Sequence, residues 1–211
     1  MQVATFTFNP FSENTYIISD DTKECVIIDP GCYDQSERKT LTDYIEANQL
    51  TPVRLVNTHC HIDHILGNRY IADKYQLPLE AHAGEKPVLE AGKMSSQIYQ
   101  IPYEESPKIT KLLVPGEYLT YGNTSLEILY TPGHSPASVC LHHRESKQVI
   151  AGDVLFQGSV GRSDLPGGDH DTLIASIKRE LLVLDDETRV YPGHGPSTTV
   201  GDERRSNPFL V

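Results

Sequence analysis

The sequence has no run of apolar residues long enough to cross a bilayer, which excludes a transmembrane helix. Its first residues, "MQVATFTFNPFSENTYIIS", have neither the charged start nor the continuous apolar stretch of a secretory signal. Cysteine is scarce, with four in all (Cys25, Cys32, Cys60, Cys140). No CxxC pair and no dense framework occurs, which argues against a thiolate zinc site and a disulfide-stapled fold. Free thiols are expected, and with them a cytoplasmic location. Basic residues are also short: 18 Lys and Arg against 29 Asp and Glu, a formal charge of −11. "KRE" near 178 and "ERR" near 203 are mixed in sign, so there is no basic run to track a phosphate backbone. The expected partner is a small molecule, with neither nucleic acid nor membrane. Tryptophan is absent, and nothing follows from that.

What is present is an ordinary globular composition, 38% hydrophobic and 22% charged. The 211 residues suffice for one sizeable core. No linker or repeat stands out, so residues 1–211 are expected to form a single domain. "VATFTF", "NTYIIS" and "CVIIDPG" read as strands from their β-branched and alternating character. "SERKTLTDYIEANQ" has helical spacing. "VRLVNT" reads as a buried strand, "HILGNRYIADKYQ" as a helix leaving the turn that follows it, and "LEAH" as a short strand. Residues 84–99 are expected to be helical and 100–116 mostly loop. Four further strands are expected at 117–121, 125–130, 138–143 and 147–152, then a glycine-rich loop at 157–169. "DTLIASIKRELLVL" is strongly amphipathic, with Asp171 at its N-cap or in its first turn, and "TRVYPGHG" is a last strand and turn. Strands then helix, twice over, predict two sheets covered by helices, an αββα sandwich.

The densest chemistry lies in "NTHCHIDHILGN", residues 57–68. His59 and His61 project to one side of extended backbone, and Asp63 and His64 follow where a helix begins. Four polar side chains at one strand end need separate hydrogen-bond partners unless they share a cation. Three more ligand-type residues sit beside glycine after apolar strands: His134 in "YTPGHSPAS", Asp153 in "VIAGDVLF" and His194 in "RVYPGHGPS". These are expected on the same edge as the histidine turn. Nitrogen and carboxylate donors without thiolate suit Zn²⁺, with Fe or Mn as alternatives. Cys60 is read as packing, and His82, His142 and His143 as structural. His170, at the end of the glycine-rich loop, is either ordinary or within reach of substrate.

The order HxHxDH, His, Asp, His in these settings resembles the metallo-β-lactamase superfamily. "THCHIDH", "TPGHS", "AGDVLF" and "YPGHG" are similar to its short glyoxalase II-like branch of bacterial hydrolases. The resemblance implies a four-layer αββα sandwich of two mixed β-sheets. It implies two divalent ions per chain, with zinc the expected metal: one held by His59, His61 and His134, the other by Asp63, His64 and His194, with Asp153 bridging. It also implies attack by a metal-bridging hydroxide on a thioester such as an S-2-hydroxyacylglutathione, in the manner of a hydroxyacylglutathione hydrolase. The chain ends soon after His194, unlike full-length glyoxalase II, whose additional domain supplies basic residues for glutathione.

A thiolate leaves readily because its conjugate acid has a pKa of about 8.5. Thioesters and activated esters therefore suit the visible groups better than amides. Asp63, beside the attacking oxygen, is expected to orient it or take a proton. Arg162, in "FQGSVGRSDLPGGD", either binds a substrate carboxylate in bidentate fashion or braces its loop. Asp29, ending "VIIDPG", either supports the ligand turn from behind or caps its own turn. Two alternatives share the resemblance: a persulfide dioxygenase using one Fe(II) on His59, His134 and Asp153, and a lactonase or β-lactamase.

Overall fold

The computed structural model describes residues 1–211. The chain divides into two compact units, residues 1–112 with 120–124, and residues 113–119 with 125–211. Each is built on one mixed six-stranded sheet.

The sheet of the first unit runs β1 (Gln2–Phe8), β2 (Glu13–Ser19), β3 (Glu24–Ile28), β4 (Thr51–Val56), β5 (Leu79–Ala81) and β6 (Ile109–Leu112), in sequence order. The pairs β1/β2 and β2/β3 are antiparallel, and β3/β4, β4/β5 and β5/β6 are parallel. Each parallel pair requires a crossover. The first is α1 (Gln35–Ala47), where the Asp34 side chain caps the helix by accepting the Glu37 N–H at 2.8 Å. The second holds α2 (Ile62–Ile65) and α3 (Asn68–Tyr75), and the third α4 (Lys86–Glu90) and α5 (Gly92–Tyr99). Leu41 and Ile45 of α1 and Ile71 of α3 join Ile17, Ile27, Leu55 and Leu79 of the sheet in one core. Because β3 and β4 are parallel neighbours, Asp29 and residues 57–64 leave the sheet at the same edge, outside the carboxyl ends of the strands.

The second unit carries β7 (Tyr118–Tyr121), β8 (Thr124–Tyr130), β9 (Val139–His143), β10 (Gln148–Gly152), a small hairpin of β11 (Leu155–Phe156) and β12 (Ser159–Val160), α6 (His170–Ser176), β13 (Arg189–Pro192), β14 (Thr198–Thr199) and α7 (Val200–Ser206). The turn of β7 into β8 clusters with the first unit. The sheet order is β14-β13-β10-β9-β8-β7. Strands β8 and β10 are both antiparallel to β9, and β13 is parallel to β10. So β8, β10 and β13 run the same way. His134, Asp153 and His194, which follow them, share one edge for that reason. Leu173 and Ile177 pack with Cys140, Val149, Leu155 and Val190 in this unit's core.

Several elements depart from the sequence reading. Residues 109–112 form β6 inside the stretch expected to be loop; only Ile109 is buried, so an edge strand shows little apolar pattern. The helix expected over 64–76 breaks at Leu66–Gly67, where the Gly67 N–H donates to Pro30 O at 2.7 Å. A Cβ at Gly67 would press into Cys32 Sγ and that same carbonyl, so the close approach requires glycine. Residues 84–99 are two helices after a 3-10 turn. The amphipathic helix begins at His170 with Asp169 as its N-cap and Asp171 in the first turn, and loosens to π geometry over Ile177–Leu181. The seven-residue α7, polar along most of its length, carried too weak a period to be read. No helix is long and apolar enough to cross a membrane.

Candidate metal centre

In the first unit, β4 ends at Val56, the chain bends at Thr58 and His59, and His61, extended at φ −64° and ψ 155°, leads into α2. This gathers the imidazoles: the rings of His59 and His61 lie 4.9 Å apart, and those of His59 and His64 4.1 Å. His64 Nε2 is 3.6 Å from Asp63 Oδ2. His59 and His64 are fully buried, while His61 and Asp63 are half-buried.

The turn is held from behind by carboxyl and amide groups. Asp29, in the left-handed region at φ 50°, accepts from Thr58 N at 2.7 Å and Thr58 Oγ1 at 2.5 Å. Its Oδ2 lies 3.3 Å from His64 Nδ1, and Asp29, His59 and His64 offer ligand-type atoms within 4.8 Å of one another. Asn57 donates to His64 O at 2.9 Å and receives Asn68 Nδ2 at 2.7 Å. Asn9 Nδ2 donates to Asp63 O at 3.0 Å. Cys60, between two of the histidines, donates its N–H to Glu85 Oε2 at 2.9 Å. Its side chain packs in the first unit's apolar core, where burial pushes the thiol well up and the Glu85 charge adds to this.

Glu13 also lies behind His64, with Oε1 3.8 Å from Nδ1. Burial drives its carboxyl well above the usual carboxylate range; His64 opposes the shift, and Asp29 and Asp63 reinforce it. The sequence reading missed Glu13 and Glu85. The sequence carried no signal for either, since Glu13 is buried by its place in β2, every residue of which is buried.

In the second unit, His134 Nδ1 is 2.7 Å from Arg162 O. A carbonyl only accepts, so Nδ1 carries the proton and Nε2 presents its lone pair. That Nε2 is 3.5 Å from Asp153 Oδ2, and His194 Nε2 is 3.5 Å from the same oxygen. The Phe156 ring stands edge-on to His194, with centroids 6.3 Å apart. The Arg162 guanidinium is exposed and held by Asp164 through bonds of 2.7 and 2.8 Å. This pair holds the Asp164 carboxyl down at about 2.

These distances fit a metal-ligand arrangement. Ligands at about 2.0–2.1 Å from a tetrahedral ion lie about 3.3 Å from one another, close to the 3.5–3.6 Å separations within each unit. The donors are imidazole nitrogen and carboxylate oxygen, and the site chemistry implies a divalent cation. The remaining histidines lie outside these groups. His82 Nδ1 accepts from Gly84 N at 3.1 Å, His143 Nδ1 is 2.6 Å from Ser146 Oγ, His142 is buried in β9, and His170 begins α6 on the surface.

The model of the metallo-beta-lactamase superfamily matches residues 8–194. A probable metallo-hydrolase of Bacillus subtilis, YqgX, is 40% identical over 95% of this chain and 93% of its own. The hydroxyacylglutathione hydrolase GloC of Haemophilus influenzae is 35% identical over 100% of this chain and 98% of its own. Among solved structures, the BLEG-1 B3 metallo-beta-lactamase superposes with a TM-score of 0.90 at 37% identity, covering 100% of both chains. TTHA1623 in a di-iron-bound form superposes with a TM-score of 0.89 at 38% identity, covering 99% of this chain and 100% of its own.

Proposed function

The chain belongs to the metallo-beta-lactamase superfamily and has its fold, and from that premise we propose that it hydrolyses a thioester such as an S-2-hydroxyacylglutathione at a two-metal centre. His59, His61 and His134 would hold one ion, Asp63, His64 and His194 the other, and Asp153 would serve both. The carrying observation is Asp153 Oδ2, equally distant from His134 Nε2 and His194 Nε2. The reading assigns those two histidines to different ions, and a carboxylate that faces both of them is placed as a residue that would serve both ions. The di-iron form of TTHA1623 supports two ions. Zinc is the proposed metal, with iron or manganese as alternatives.

When bound, such ions acidify a water to near-neutral pKa and polarise a carbonyl. The chain's own residues do the rest. Arg162 O fixes the His134 tautomer, and Asp29 faces His64 Nδ1 from behind. Asp63, half-buried at the start of α2, is the group proposed to orient the attacking oxygen and take its proton. The Arg162 guanidinium is proposed to meet a substrate carboxylate, in place of Asp164.

The test is release of free thiol from S-2-hydroxyacylglutathione by the zinc-, iron- or manganese-loaded protein. Turnover that is abolished by Asp63→Ala and by chelation is expected; no turnover with any of the three metals overturns the thioester reading. The likeness to BLEG-1 favours a second reading, β-lactam hydrolysis, which the same preparations decide with a cephalosporin.

A further inference from the structure

The second unit contains a buried carboxylate that the proposed chemistry does not use. Glu203, on α7, is 2% exposed. Its Oε2 accepts from Gly158 N at 2.8 Å and Asn207 Nδ2 at 2.8 Å, and its Oε1 accepts from Thr198 Oγ1 at 2.5 Å. Asn207 Nδ2 also donates to Ser159 O at 2.9 Å. Two residues of the C-terminal segment thus grip the tip of the β11/β12 hairpin, residues 158 and 159.

That hairpin is framed by ligand groups. It starts two residues after Asp153, and Phe156 on its first strand packs against His194. Just past its second strand, Gly161 N donates to Val154 O at 3.3 Å. A Cβ at Gly161 would overlap the Asp153 carbonyl and lie 3.1 Å from His134 Nδ1. Arg162 O, one residue on, receives His134 Nδ1 at 2.7 Å. The hairpin has only two residues in each strand. It makes few ladder bonds of its own, so its position depends on what grips its tip.

We propose that Glu203 is a positioning residue for the metal centre: by fixing the β11/β12 hairpin it sets the place of Arg162 O and so the orientation of the His134 ring. This rests on the reading that His134, Asp153 and His194 hold metal. Supporting groups behind ligands change metal affinity by about 10–100-fold, and Glu203 acts one step further back, so the lower end is expected.

The experiment uses the full chain as wild type, Glu203→Ala, Glu203→Gln and Asn207→Ala. Zn²⁺ affinity is measured by competition with a chromophoric chelator, and the exchange of the His134 Nδ1–H proton by ¹⁵N-resolved NMR. Glu203→Ala should weaken Zn²⁺ binding by about tenfold and speed Nδ1–H exchange. Glu203→Gln should restore both, because its amide oxygen can face Gly158 N and Asn207 while its NH₂ donates to Thr198 Oγ1. Asn207→Ala should shift both in the same direction by less, and it carries the test if Glu203→Ala does not fold. Unchanged affinity and exchange in Glu203→Ala, or in Asn207→Ala in that case, overturn the proposal and leave the metal reading intact. If the wild type binds no zinc, the metal reading falls. The proton exchange then decides the brace alone: unchanged exchange refutes it, and accelerated exchange supports its effect on the ring.

Discussion

Replacing Asp29 by asparagine should change how His64 presents itself, without emptying the space behind it. In the wild-type chain, Asp29 Oδ1 accepts from Thr58 N at 2.7 Å, while Oδ2 accepts from Thr58 Oγ1 at 2.5 Å and faces His64 Nδ1 at 3.3 Å. A carboxylate in that place favours a proton on Nδ1 and leaves Nε2, on the Asp63 side, with its lone pair. Asparagine can keep its oxygen on Thr58 N, but its NH₂ then points at Nδ1. The imidazole answers by accepting at Nδ1 and moving its proton to Nε2, the nitrogen a metal needs bare. Loss of a supporting carboxylate of this kind costs about 10–100-fold in metal affinity, or about 1.4–2.7 kcal/mol. The scaffold loses little, because Thr58 N keeps its acceptor. Chelator competition measures the affinity and thermal denaturation of the metal-free protein measures the scaffold. A tenfold or greater loss of affinity with a nearly unchanged metal-free Tm is expected. Wild-type affinity at full stoichiometry would refute the argument that Asp29 sets the His64 tautomer.

Other consequences follow from the same geometry. Asp153→Ala removes the one oxygen that faces both His134 and His194, so elemental analysis should find the occupancy of both ions reduced, not one alone. Asp164 should titrate by NMR at about 2; its contribution is present above the ordinary value of 3.8 and lost as pH falls through about 2, and Arg162→Ala should return the midpoint toward 3.8. Burial raises the Glu13 carboxyl above 4.5, so its favourable contribution is complete below 4.5 and disappears as pH rises through the folded-state value. Glu13→Gln should therefore stabilise the metal-free protein against urea near neutral pH and lose that advantage below 4.5.

The parts of the site that the sequence disclosed were those concentrated at strand ends. The pattern HxHxDH in six positions, and single His or Asp residues set beside glycine after apolar strands, mark ligand chemistry whatever the surrounding fold. Strand direction supplies the reason that positions 134, 153 and 194, expected on one edge, are neighbours there: β8, β10 and β13 run the same way. The supporting groups were less legible, because a buried Glu13, Glu85 or Glu203 differs from a surface glutamate only through partners distant in sequence. β6 went unread for a related reason. An edge strand with one buried residue has no alternation to detect, and the break at Gly67 answers to Pro30 and Cys32, more than thirty residues earlier.

The most direct test is the metal content of the zinc-reconstituted chain, by element and per chain, in the wild type and in His59→Ala, His134→Ala and His194→Ala. Two ions in the wild type, with fewer in every variant, are expected if these residues hold the metal. A wild-type chain that retains no divalent metal, or a count that no substitution lowers, would contradict it.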